Sequence, residues 1–238
     1  MQIRAITLDL DDTLWPIEPV MLRAEQRLDA WLQEHCPRAA GHYPIPAMRA
    51  LRERVAGENP HLAHDFTAQR HLSLRAALVP HGYGDEHVAA AFSEFYAARN
   101  DVECYADALP ALTRLAARFP LVSLSNGNAD LDCIGLARFF RFSITARDFG
   151  MAKPAPQIFH AACARLGLPP ETVLHVGDDP ELDVAGARAA GLRSAWINRV
   201  DAQWSQLQAP DLSVRDLHEL ADALDALAVN PRGASALA

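Results

Sequence analysis

An apolar run from Ile3 ends in a carboxylate cluster, Asp9-Leu10-Asp11-Asp12-Thr13, and no second strand signal follows for roughly 85 to 90 residues. Ile3 to Asp9 has the apolar, β-branched character of a short strand. After Pro16 the pattern changes to helix. Apolar residues recur at three- and four-residue steps through Val20–Leu32, Ala47–Val55, Ala63–Leu78 and Glu86–Arg99, with Pro and Gly breakers between them. From about residue 104 strands and helices alternate. Strands are expected at Leu121–Ser125, Phe142–Thr145, Thr172–Val176 and Arg193–Ile197. Helices are expected at Leu109–Arg118, Asn128–Phe139, Pro156–Leu166, Pro180–Ala190 and Asp216–Ala228. Such alternation predicts right-handed βαβ units around a parallel sheet. The simplest architecture is an α/β, Rossmann-like parallel-sheet core made of residues 1–15 and 104–229. It is interrupted by a helical cap at 16–103 and followed by a frayed tail at 230–238.

Composition narrows the partners. Half of the residues are hydrophobic, enough for a substantial core, and the net charge of −8 argues against a surface built to hold nucleic acid. A small anionic substrate remains compatible, because local charge in a cleft can oppose the global balance. Cys36, Cys104, Cys133 and Cys163 are widely spaced and contain no Cys-x-x-Cys pair, so neither a disulfide framework nor a structural zinc site is expected. The N-terminus lacks the pattern of a secretory signal, and no segment reaches the ~20 apolar residues of a membrane span. A cytoplasmic protein without a membrane partner is the expectation; its oligomeric state is left open.

Four clusters fall at expected strand ends, where open α/β sheets gather their reactive groups. In the first, Asp9 and Asp11 can face the same side of an extended chain. Their mutual repulsion calls for a proton or a hard cation such as Mg2+. One carboxylate could attack phosphorus while the other moves a proton; the same block also suits a solvated turn. In the second, Ser125-Asn126-Gly127 offers a hydroxyl and main-chain N–H groups to an anion, or forms an ordinary turn. In the third, Lys153 precedes Pro154 in Met151-Ala152-Lys153-Pro154-Ala155-Pro156 and could neutralise a phosphoryl oxygen together with an aspartate, or stand as a solvated surface charge. In the fourth, Gly177-Asp178-Asp179-Pro180-Glu181-Leu182-Asp183 opens a helix. Capping explains Asp179 and Glu181, but not why two strand ends should both carry acidic clusters.

The Asp-x-Asp-x-Thr block, Ser125-Asn126 at a strand end, Lys153 in Lys-Pro-x-Pro and the Gly-Asp-Asp-x-x-x-Asp block occur in this order. Together they resemble the four motifs of the haloacid dehalogenase-like (HAD) hydrolase superfamily, and the helical insertion is similar to its helical cap of the first class. The resemblance implies Asp9 as nucleophile and metal ligand. It implies Asp11 as general acid/base, with its main-chain carbonyl also on the metal. Asp178 would complete the protein ligands to Mg2+, with Asp179 and Asp183 tuning that shell or positioning Lys153. Ser125, Asn126 and Lys153 would hold the phosphoryl group, and Thr13 would order the loop beside it.

Asp11 implies a phosphatase over a true dehalogenase, which lacks that aspartate. Sugar phosphomutases of the superfamily and a non-catalytic phosphate-binding module are the alternatives. The sequence also resembles a bacterial phosphatase subgroup associated with flavin mononucleotide and 5-amino-6-(5-phospho-D-ribitylamino)uracil, which points to riboflavin biosynthesis. Its cap segment contains Glu58-Asn59-Pro60, His64-Asp65 and Arg70. Trp15 could stack on a flat or sugar-like leaving group, or anchor the cap. His64, Arg70 and His71 could read polar leaving-group atoms, or lie on solvated helix faces. His175, inside an expected buried strand, reads as a satisfied core histidine.

Overall fold

The computed structural model describes residues 2–229. The expected tail at 230–238 lies outside them. Strands β1 (Ala5–Leu8), β2 (Leu121–Ser125), β3 (Phe142–Thr145), β4 (Val173–Gly177), β5 (Arg193–Ile197) and β6 (Leu212–Val214) form one sheet in the order β3-β2-β1-β4-β5-β6. Every pairing is parallel. β1, β2 and β4 are buried along their whole length. A strand covered on both faces reads as a continuous apolar run, which is why these three stand out in the sequence.

The register sets the site. Leu8 lies opposite Ser123 on one side and Val176 on the other. The residues just past β1 therefore emerge between Ser125 at the end of β2 and Gly177 at the end of β4. The order of strand addition reverses at β1, with β2 and β3 on one side and β4 to β6 on the other, and there α/β folds open a crevice beyond the strand ends.

Two compact units divide the described residues: 2–16, 103–127 and 135–229 form one, and Ile17–Val102 with Asn128–Ile134 form the other. In the helical unit the main helices are α1 (Ile17–His35), α2 (Ile45–Glu58), α3 (Phe66–Leu78) and α4 (Asp85–Arg99). Each gives the core an i, i+4 pair: Leu28 and Leu32, Leu51 and Val55, Leu74 and Leu78, Ala91 and Phe95. α1 starts ahead of the expected Val20 because Pro19 sits in the first turn, where its missing N–H has no intrahelical partner to lose. α3 starts later than Ala63, at the point where the Asp65 carboxylate accepts the Ala68 N–H at 2.9 Å.

The expected helix Asn128–Phe139 is broken. Leu131–Ile134 makes one helical turn, Gly135 takes a left-handed φ of 80°, and Ala137–Phe139 forms a 3-10 turn. The first part of this segment joins the helical unit. Asn128 Nδ2 donates to Thr67 Oγ1 at 3.3 Å, and the Asp130 N–H donates to Asn100 Oδ1 at 2.7 Å. The helical unit thus includes a piece of chain that begins directly after Ser125-Asn126-Gly127.

Candidate active site

Asp9 continues β1 by one residue, its N–H donating to the Val176 carbonyl at 2.9 Å. Its buried carboxylate meets the buried ammonium of Lys153, whose Nζ lies 2.5 Å from Asp9 Oδ1 and 2.5 Å from Asp183 Oδ1. The solvated alternative for Lys153 is thereby excluded. Asn126 delivers this lysine. The Asn126 amide donates to the Lys153 carbonyl at 3.0 Å, and its Oδ1 accepts the Lys153 N–H at 2.7 Å. Asn126, expected to touch a phosphoryl group, has its side chain engaged with the lysine loop instead. Ser125 Oγ accepts the Gly127 N–H at 3.0 Å, which leaves its own O–H to donate.

On the β4 side, the Asp183 carboxylate meets three partners. Its Oδ1 accepts from Lys153 and lies 3.0 Å from His175 Nε2, while its Oδ2 accepts the Asp179 N–H at 3.0 Å. His175 Nδ1 is 2.8 Å from Thr7 Oγ1, its register partner on β1. This is a buried, satisfied histidine as expected, and its partners steady the lysine's counter-ion. The close approach explains Gly177: a Cβ there would stand 2.2 Å from Asp183 Cγ. Asp179 caps the following helical segment, accepting from Glu181 and Leu182 N–H at 2.8 Å. Asp178 accepts from Thr13 Oγ1 at 3.3 Å, and its carbonyl accepts the Trp196 indole N–H at 2.7 Å.

Charge does not balance among these side chains. One carboxylate oxygen from each of Asp9, Asp178 and Asp183 falls within a 4.8 Å cluster, and Lys153 is the ammonium bonded into it. Burial, with Asp183 and Asp12 nearby, pushes Asp178 up to about 7. Burial also holds Asp9 well above the ordinary carboxylate range, against the pull of Lys153. Burial would raise Asp183 too, but Lys153 and His175 hold it well below. Lys153 is held above its ordinary value by Asp183 and Asp9, despite burial. Burial holds His175 low. A hard divalent cation between Asp9 and Asp178 would supply the missing positive charge, so the residues present fit such an ion.

Of the alternatives for Trp15, stacking on a leaving group does not fit its surroundings. Trp15 is fully buried, and its indole N–H donates to Asp11 Oδ1 at 2.9 Å, so it offers no ring face for stacking. Thr13 is also fully buried, with its hydroxyl turned to Asp178. His64 and Arg70 belong to the helical unit. Arg70 is buried there with its guanidinium 3.9 Å from the Phe95 ring centre, and burial lowers it to about 10. It does not lie on a solvated face.

Arg199 and Asp107 escaped the sequence reading. Arg199 donates to both Asp107 carboxylate oxygens, at 3.0 and 2.9 Å, and to the Thr13 carbonyl at 2.9 Å. Its place just after β5, at a strand end like the four clusters, was the available signal.

Residues 3–191 match the haloacid dehalogenase-like hydrolase family. The chain belongs to that family. It is 32% identical to the 5-amino-6-(5-phospho-D-ribitylamino)uracil phosphatase YigB of Escherichia coli, covering 92% of this chain and 95% of that one. It is 31% identical to a phosphoserine phosphatase of Thermus thermophilus, covering 93% and 100%. A solved structure of a 2-haloacid dehalogenase from Pseudomonas syringae pv. Tomato DC3000 superposes with a TM-score of 0.89 at 35% identity, covering 94% of this chain and 99% of that one. The family and the full-length relatives make this HAD hydrolase a phosphatase. Among the described residues, no helix is long and apolar enough to cross a membrane.

Gly177→Ala should displace Asp183 from Lys153 and lower turnover roughly 100-fold, since misplacement of about 1 Å has that effect on reacting groups. Wild-type turnover and melting temperature in this variant would contradict the close approach. Mg2+ should raise the melting temperature at pH 8 by more than at pH 5. At the lower pH, Asp178 keeps a proton that the ion must displace; at the higher pH, it is ionised. Equal shifts in scanning calorimetry at the two pH values would contradict the assignment.

Proposed function

We propose that the chain is a Mg2+-dependent phosphatase that hydrolyses small phosphorylated metabolites through a phosphoryl group carried on Asp9. The observation that supports this best is the pairing of Asp9 with Lys153 at 2.5 Å beside a partly buried Asp178 whose charge is unbalanced. A nucleophilic carboxylate approaching an anionic phosphate needs positive charge on both sides of it. Mg2+ held by Asp9 and Asp178, with the main-chain carbonyl of Asp11, would polarise the phosphoryl oxygens.

The chain's own residues do the rest. Asp9 attacks phosphorus, and the bond to the leaving oxygen breaks as the Asp11 carboxyl gives that oxygen its proton. Lys153 and the Ser125 O–H hold the equatorial oxygens, where phosphoryl transfer accumulates charge. Water then attacks the phosphorus of aspartyl phosphate. Asp11 takes the water's proton, the bond to Asp9 breaks and phosphate leaves. Asn126 contributes through the lysine loop, Asp179 and Asp183 through the shell around Lys153, and Thr13 through Asp178. His64 and Arg70 belong to this reading as residues that set the leaving-group preference from the cap.

The substrate class follows from the resemblance and from the relatives. Flavin mononucleotide and 5-amino-6-(5-phospho-D-ribitylamino)uracil are the first candidates, which would place the enzyme in riboflavin biosynthesis. Its proposed setting is the cytoplasm, in keeping with four free thiols. Asp11 also distinguishes this chemistry from attack at carbon, which needs no acid to protonate a departing halide.

Phosphate release from a panel containing both candidates, phosphoserine, sugar phosphates and nucleotides should require Mg2+ and cease with chelator. Asp9→Asn should lower it by more than about 1,000-fold while leaving the fold intact. A variant that keeps Mg2+-dependent release, or a panel in which no phosphoester reacts while a 2-haloacid assayed beside it loses halide, would refute the proposal.

A further inference from the structure

We infer that Trp15 is a positioning residue for Asp11, and that its working part is the indole N–H. This rests on the reading of Asp11 as the acid/base group. The loop between them is closed on itself: Asp11 and Trp15 form an isolated β-bridge, the Asp12 N–H donates to the Trp15 carbonyl at 2.8 Å, and the Leu14 N–H donates to the Leu10 carbonyl at 2.8 Å. Asp12 takes a left-handed φ of 57° to make this turn.

The rest of the α/β unit holds the same loop from outside. Arg199 grips the Thr13 carbonyl while its own position is set by both oxygens of Asp107. Asp107 also accepts the Leu217 N–H at 2.9 Å. The Tyr105 N–H donates to the Leu14 carbonyl at 2.9 Å, and its ring lies 3.8 Å from the Arg199 guanidinium carbon. The backbone under Trp15 is therefore fixed, and the fully buried ring has little room to turn. Its single donor points at Asp11 Oδ1 at 2.9 Å.

An acid/base carboxylate must reach two places in turn, the leaving oxygen and the attacking water, and catalysis by such a group depends on its being in hydrogen-bond reach of each. Anchoring one carboxylate oxygen fixes the orientation of the carboxyl group that moves the proton in both steps. A bulky residue used only as a packing anchor would serve equally well without an N–H. That difference makes the inference testable.

The experiment uses the full chain with Mg2+ and p-nitrophenyl phosphate in single turnover, following p-nitrophenolate and phosphate separately. p-Nitrophenolate needs no proton to leave, so its release reports transfer to Asp9 without acid assistance. Phosphate release reports the hydrolysis in which Asp11 takes the water's proton. Trp15→Phe should leave the first rate within about twofold and slow the second roughly 10- to 100-fold. Replacement of Trp15 by 3-benzothienylalanine, which keeps the ring shape without the N–H, should do the same and guards against a Phe variant that fails to fold. In an Asp11→Asn background the Trp15 change should add nothing, because coupled residues are not additive.

Equal slowing of both releases, or an undiminished effect in the Asp11→Asn background, would reduce Trp15 to a packing anchor and overturn the inference. So would unchanged rates in both Trp15 variants. Phosphate release at the wild-type rate in Asp11→Asn alone would instead remove the acid/base reading of Asp11 on which it rests.

Discussion

The buried ammonium of Lys153, bonded at 2.5 Å to both Asp9 and Asp183, is the contact on which the rest of the site depends. Taking such charges out of water is costly, and their mutual attraction compensates only when the geometry is close and the remaining lone pairs are satisfied. Each neighbour contributes to that condition. Asn126 fixes the lysine's backbone, His175 and the Asp179 N–H occupy Asp183, and Gly177 provides the space in which Asp183 reaches the lysine. The same arrangement leaves Asp9 and Asp178 short of positive charge. A divalent cation would answer that imbalance and so let an anionic phosphoryl group approach Asp9.

The sheet makes this possible by its strand order. β1 is central, and Asp9 emerges between the ends of β2 and β4, so residues distant in sequence converge beyond the carboxyl ends of the strands. The long helical insertion enters directly after the Asp9–Trp15 loop, and the short segment Asn128–Ile134 belongs to that same helical unit. Two of the site's loops, those carrying Asp11 and Ser125-Asn126, therefore each lead into the helical unit within a few residues.

Much of this was legible because it rests on periodicity and on residue types with few uses. The apolar runs of β1, β2 and β4 are buried on both faces, and the acidic blocks fall directly after two of them. Other features had no such signature. β6 is three residues long, too short to show an alternation, and exists by pairing with β5. The helix expected through Asn128–Phe139 failed at Gly135, where one left-handed residue overrode the apolar spacing on either side. The site residues were read by type, but their partners were not. The spacing of Trp15 from Asp11 does not reveal that an indole N–H meets a carboxylate. Nothing in the local pattern of Asn126 shows that its amide turns toward Lys153, which lies 27 residues further along the chain. Arg199 and Asp107 are 92 positions apart and become partners only when β5 and the segment after the helical insertion come together.

The central claim is that phosphorus is transferred to Asp9 itself. Borohydride quenching during turnover reduces an acyl phosphate to an alcohol, so a phosphorylated aspartate becomes homoserine and can be located by peptide mass spectrometry. The account predicts homoserine at position 9, formed only with substrate and Mg2+ present and absent from Asp9→Asn. Turnover that leaves Asp9 unmodified under the quench, or that places the modification on another carboxylate, would contradict it.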